Sequence, residues 1–132
     1  MRMTGNSVLL DTNIISAWLK GDKAIADFID SRKRIFIPVI VIGEMHYGAQ
    51  YSTDVKKNSN NIQKVTNHYE ILYVDHYTAL VYGEIKAELR KKGRPIPEND
   101  IWISAIAKQH NLTLITRDAH FKEVVGLPIE KW

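Results

Sequence analysis

Val8-Leu9-Leu10-Asp11-Thr12-Asn13 is the stretch whose reading decides the fold. Three apolar residues in a row before a carboxylate read as a short strand buried on both faces. Such strands belong to parallel sheets covered by helices. Ligands of these sheets bind in the crevice at the carboxyl ends of the strands. Asp11 therefore stands at the rim of a site, and Asn13 is placed to start the helix that follows.

Further strands follow along the chain. Ile35-Phe36-Ile37 is the second, closed by Pro38, and Ile71-Leu72-Tyr73-Val74 is the third. Leu112-Thr113-Leu114-Ile115-Thr116 is the fourth, and Val124 to Glu130 reads as a turn and a short fifth. Between them, helical spacing covers Ile14 to Lys20, Ala24 to about Ser31, Val39 to about Gln50 and Ile62 to Tyr69. It returns through Ala79, Tyr82, Ile85 and Leu89, stopping at Gly93, and again from Ile101 to His110. That last helix is apolar on almost every face, so it packs on several sides. Asp75 reads as the cap of the helix after the third strand. Met1 to Ser7 reads as a polar lead, and Tyr51 to Asn61 as a loop or frayed helix. Arg32-Lys33-Arg34 reads as a solvated helix end. Alternating strands and helices imply a three-layer α/β/α architecture with a mainly parallel sheet of about five strands. At 132 residues the chain is expected to be a single domain over 1–132.

Composition narrows the function classes. A hydrophobic share of 45% with 25% charged residues excludes a disordered chain. Without cysteine there is neither a disulfide frame nor a thiolate metal site. No apolar run reaches spanning length and the N-terminus lacks the pattern of a signal peptide. The expectation is a soluble cytoplasmic protein with no membrane partner. The net charge of +3 is only a weak pointer to nucleic acid.

Four acids carry the chemistry. Asp11 and Asp118 follow apolar strands, Asp100 opens a buried helix, and Glu44 lies inside a helix that otherwise looks well buried. Right-handed crossovers can bring all four to one rim. Unpaired carboxylates in one pocket repel unless a cation compensates them. Oxygen ligands without His or Cys nearby suit Mg2+ or Mn2+ and not zinc. Taken singly, each acid has a plainer reading: Asp11 and Asp100 as helix caps, Asp118 paired with Arg117, and Glu44 satisfied by buried backbone or a tyrosine hydroxyl. The five histidines form no ligand-spaced set; His120, just after Asp118, reads as a surface residue, with a reach to substrate as the alternative. Trp18, Trp102 and Trp132 read as packing or interface residues.

These stretches resemble the motifs of PIN-domain nucleases. Val8 to Asn13 is similar to the family's opening motif and Ile40-Val41-Ile42-Gly43-Glu44-Met45-His46-Tyr47-Gly48 to its second. Arg94-Pro95-Ile96-Pro97-Glu98-Asn99-Asp100-Ile101-Trp102-Ile103-Ser104-Ala105 matches the third, and Leu114-Ile115-Thr116-Arg117-Asp118-Ala119-His120-Phe121 the fourth. Any one motif is weak, but the ordered set is specific and covers nearly the whole chain. The type it resembles is the VapC/FitB-like toxin of toxin–antitoxin pairs. The resemblance implies that Asp11, Glu44, Asp100 and Asp118 bind Mg2+ or Mn2+. It implies that Thr12 and Asn13 shape the first loop and that the Thr116 hydroxyl orients a ligand or water. Val41 departs from the family, which often has Thr there.

Resemblance also implies a metal-dependent endoribonuclease acting on structured RNA, leaving a 5′-phosphate and a 3′-hydroxyl. Its implied partners are a VapB-like antitoxin that inserts an Arg-bearing peptide into the acidic pocket and a second copy of the chain. Ile14, Ile15, Trp18 and Leu19 are the expected dimer surface. Setting the four acids aside leaves 11 acidic against 18 basic residues. Lys86, Arg90, Lys91, Lys92 and Arg94 gather near the approach to Asp100, and Arg117 precedes Asp118. These are candidate phosphate contacts, with a solvated helix face as the alternative. A non-catalytic RNA- or protein-binding module is the competing function. A haloacid-dehalogenase-like phosphatase is disfavoured, because Asn13 stands where its second Asp belongs.

Overall fold

Val8, Leu9 and Leu10 of strand β1 (Ser7–Leu10) have no solvent exposure. Successive strand side chains point to opposite faces, so both faces of the sheet are covered there. The computed structural model describes residues 7–31 and 34–132. Its remaining strands are β2 (Arg34–Pro38), β3 (Glu70–Leu72), β4 (Thr113–Thr116) and β5 (Ile129–Lys131). Six helices connect them: α1 (Thr12–Leu19), α2 (Lys23–Asp30), α3 (Val39–Gln50), α4 (Val55–His68), α5 (His76–Lys91) and α6 (Glu98–Gln109). A 3₁₀ turn, Ala119–Glu123, follows β4.

The sheet order is β3-β2-β1-β4-β5, and every pairing is parallel. The chain leaves β1 toward β2 and β3, then returns across to β4 and β5. With right-handed crossovers, α1 to α4 cover one face and α5 and α6 the other. The order therefore reverses between β1 and β4, which is where α/β sheets open a crevice. Leu10 pairs with Ile115, and the Asp11 N–H donates to the Ile115 carbonyl at 3.0 Å. The residues just past the two central strands are thus held side by side.

Several boundaries differ from the sequence reading, each for a physical reason. The polar stretch before Ile62 is mostly helix: α4 runs unbroken from Val55, capped by the Asp54 carboxylate accepting the Lys57 N–H at 3.1 Å. Its polar residues face water while Ile62 and Val65 are buried. β3 stops at Leu72 because β2 offers no pairing beyond Pro38, leaving Tyr73 and Val74 exposed. Asp11, not Asn13, is the cap of α1. Asp100 does not cap its helix: Pro97 holds that position and Asp100 lies within the first turn of α6.

The remaining differences concern burial and residue placement. α3 is buried on one face only, through Val41, Met45 and Ala49; Gly43 and Gly48 are exposed and Tyr47 is 66% exposed. Ile14 and Ile15 are wholly inside the core, so they cannot form a dimer surface; only Trp18 and Leu19 of that set reach solvent. Arg34 begins β2 and sits 3.9 Å from Glu70, so it is no helix end. Arg32, Lys33 and the first six residues of the polar lead lie outside the described residues, while Ser7 is already in β1. Asp75 does cap α5, in a reciprocal box with Thr78, and Asn111 adopts the left-handed turn with φ of 54°.

Candidate metal centre

Four elements bring the acids to the crevice between β1 and β4. Asp11 follows β1, Asp118 follows β4, Asp100 sits in the first turn of α6, and Glu44 projects from α3. Asp11 is 95% buried, being only 5% exposed, and is held by neutral donors on every side. The Thr116 hydroxyl donates to its Oδ2 at 2.7 Å, Asn13 Nδ2 to the same oxygen at 3.2 Å, and the Thr12 N–H to Oδ1 at 2.8 Å. Thr116 is therefore committed to an acid, and its proton is not open to a ligand or water. Its oxygen also accepts the Asp118 N–H at 2.9 Å, so one hydroxyl fixes both strand ends. Asn13 does similar work through its other end, accepting the Arg117 N–H at 3.1 Å.

Glu44 is half-buried and anchored likewise. The Thr12 hydroxyl donates to its Oε1 at 2.6 Å, and Asn99 Nδ2 lies 3.5 Å from Oε2. Among the described residues no Lys or Arg forms an ion pair with Asp11, Glu44, Asp100 or Asp118. The electrostatic consequence is plain. Burial pushes the Asp11 carboxyl above its ordinary value, and the Glu44 and Asp118 charges add to the rise, against the pull of the Thr116 and Thr12 bonds. Asp100 is pushed up to about 6, first by burial and then by the charges of Asp11 and Asp118, with His120 opposing.

His120 corrects the expectation of an oxygen-only pocket. Its Nδ1 lies 2.9 Å from Asp118 Oδ1 and 3.3 Å from Asp100 Oδ2. One ligand atom from each of Asp100, Asp118 and His120 falls within 4.8 Å of the others. Asp11 and Glu44 are not in that tight group; they stand beside it, coupled through charge. The cause is local: Asp118 caps the 3₁₀ turn by accepting the His120 N–H at 2.9 Å, which folds the imidazole back over the carboxylates. The sequence signal was the Asp-x-His spacing after an apolar strand, a short capped turn. Asn99 was missed as well, since only the first turn of α6 brings it to Glu44.

The expected basic rim is largely spent elsewhere. Arg117 pairs with Asp22 at 3.0 Å and not with Asp118. Lys86 pairs with Glu98 at 3.1 Å, beside the stacked rings of Tyr82 and Trp102. Lys92 binds Glu123, through its carboxylate at 3.9 Å and its carbonyl. Arg90 and Lys91 line a separate surface cavity with Gly83, Lys86 and Ala87. Arg94 lines a different cavity, which it shares with His120.

A close set of two carboxylates and an imidazole, flanked by two more acids and paired with no Lys or Arg among the described residues, fits a divalent cation. The imidazole widens the donor set, so the lack of a nitrogen ligand no longer sets zinc aside. No helix among the described residues is long and apolar enough to cross a membrane.

Known proteins share this sequence pattern and fold. The PIN domain family model matches residues 8–127. A ribonuclease VapC2 of Haemophilus influenzae is 32% identical over 127 residues, covering 94% of this chain and 96% of that protein. A tRNA(fMet)-specific endonuclease VapC of Shigella flexneri is 30% identical, with the same coverage of both chains. The crystal structure of VapBC2 from Rickettsia felis bound to a fragment of promoter DNA superposes with a TM-score of 0.88. Its sequence identity is 29%, over 95% of this chain and 98% of that one. With the family model spanning nearly all of the chain and VapC proteins matching it end to end, this protein belongs to the PIN-domain family of VapC ribonucleases.

Proposed function

We propose that the chain is a metal-dependent endoribonuclease, the toxin of a VapBC-type pair, hydrolysing phosphodiester bonds in structured RNA such as a transfer or ribosomal RNA. The observation that carries this reading is the acid pocket itself. A buried carboxylate, Asp11, and a half-buried one, Glu44, are held by hydroxyls and amides at the switch point of a parallel sheet, and among the described residues no Lys or Arg pairs with them. A purely structural acid cluster gains nothing from that arrangement, because unpaired buried charge is destabilising. A pocket built to receive a cation does.

In this reading Asp100, Asp118 and His120 hold the metal, with Asp11 and Glu44 completing the field around it. When bound, Mg2+ or Mn2+ supplies a positive charge for the phosphoryl oxygens and acidifies a coordinated water. The protein's own residues supply position. Thr116 and Asn13 lock Asp11, and Thr12 locks Glu44. Asp100, pushed up to about 6 in the metal-free fold, must give up its proton to hold a cation, so metal binding weakens as pH falls toward that value.

The partner in this account is a VapB-like antitoxin, and its guanidinium would satisfy the same carboxylates. A groove of about 440 Å³ between α1, α3 and α4 leads from Glu44 past Met45 and Ala49 to Ile62, which supports entry of such a segment. Homodimerisation belongs to the same reading, through a surface other than Ile14 and Ile15, as does action in the cytoplasm.

The test is RNA cleavage by the purified chain. Cleavage in Mg2+ stops with EDTA, and Asp11→Asn abolishes it while the circular dichroism spectrum is unchanged. Cleavage at the wild-type rate by folded Asp11→Asn would refute the assignment.

A further inference from the structure

Beside the acid pocket, across the ring of His120, lies a cavity of about 350 Å³. Arg94 and Pro95 of the α5–α6 connection form one wall, and Ala119, His120 and Lys122 of the turn after β4 form the other. His120 is shared: the same imidazole that touches Asp100 and Asp118 also lines this cavity. Arg94 and Lys122 are exposed, and among the described residues neither has an ion-pair partner. Glu123 also reaches the lining, but its charge is offset by Lys92.

A nucleic-acid strand that delivers one phosphate to a cluster of carboxylates carries its neighbouring phosphates past the same negative field. Those neighbours need cations placed just outside the pocket. Lys86, Lys92 and Arg117 are occupied by acids, and the Arg90–Lys91 cavity includes no residue of the acid cluster. Two unspent cations facing one cavity, one imidazole away from the acids, meet the requirement. Small walls at Ala119 and Pro95 leave room for a ribose. We propose that this cavity is the subsite for an RNA phosphate adjoining the scissile one, with Arg94 and Lys122 as its cationic contacts and His120 as the partition from the metal pocket. The proposal rests on the ribonuclease reading above.

The experiment measures binding of a fluorescein-labelled RNA stem-loop by anisotropy across a KCl series. The Asp11→Asn background prevents cleavage, and Mg2+ is present throughout. Adding Arg94→Ala and Lys122→Ala should weaken binding about tenfold and lower the slope of log K against log salt by about 0.7 to 1.4, the loss of one or two phosphate contacts. Adding Arg90→Ala and Lys91→Ala instead should change the slope by less than half as much. Unchanged affinity and slope in the Arg94/Lys122 variant would overturn the subsite, as would an equal loss in the Arg90/Lys91 variant. If the parent chain binds no RNA at any salt and wild type cuts none, the ribonuclease reading itself fails. Exposed side chains without partners can be removed without unfolding the chain, which circular dichroism verifies.

Discussion

Thr116 has no solvent exposure, and its hydroxyl is the hinge pin of the site. It donates to Asp11 and accepts from the Asp118 N–H, tying the ends of both central strands through one atom. Thr116→Val keeps the shape and removes both bonds, leaving a buried amide and a buried carboxylate short of partners. The expected cost is about 1–3 kcal/mol by chemical denaturation. Because the Thr116 bond lowers the Asp11 pKa, its loss should raise that pKa further, shifting the acid limb of any cleavage profile to higher pH. Asp11 and Asp118 were legible in the sequence, since an acid directly after an apolar strand occupies a rim position whatever the rest of the fold. His120 was legible only as a spacing, two residues after Asp118, and not as a member of the acid group. Its place over the acids depends on a turn closed by the Asp118 side chain, and pattern alone reads such a histidine as surface. The cations were legible only as a run: which of them are already paired depends on the acids they meet in space, as Lys86 meets Glu98 and Arg117 meets Asp22.

Elements were legible where burial is continuous and obscure where polar residues dominate. β1, β2 and β4 are apolar runs and stand out; α6 shows apolar residues on nearly all sides and is buried on nearly all sides. α4 was half hidden because Asn58, Ser59, Asn60 and Asn61 are weak helix formers. Tertiary packing of Ile62 and Val65, together with the Asp54 cap, supplies what propensity lacks. α5 has a different anchor. Asp75 accepts the Thr78 N–H at 3.0 Å, Thr78 answers to the Asp75 N–H, and Gln109 Nε2 donates to Asp75 from the end of α6. The cap thus also fastens the two helices of one face. Asp75→Ala should lower the denaturation midpoint without altering cleavage per folded molecule. A loss of metal binding in that variant would show that α5 positions the site more directly than its contacts indicate.

At the scale of the whole molecule, the sheet order sets function against stability. A parallel sheet reversing direction between β1 and β4 gathers acids from four elements into one crevice, and the metal-free fold bears their repulsion. Asp100 shows the sign. Its pKa is about 6 folded against an ordinary 3.8, so the folded state binds more protons than the unfolded state between those values. Stability from this group is therefore greatest below pH 4, falls through the interval, and is at its lowest above pH 6. Asp100→Asn should stabilise the metal-free protein by about 1–3 kcal/mol at pH 7.5. The gain should vanish near pH 4, and thermal melts at the two pH values measure it. The same carboxylates that weaken the empty fold are the ones a divalent cation must find. Titrating Mn2+ into the purified chain at pH 7.5 by calorimetry tests that most directly. The account predicts saturable binding that is lost in Asp100→Asn and weakened as pH falls below 6; a wild-type chain without saturable binding, or a variant that binds equally well, would contradict it.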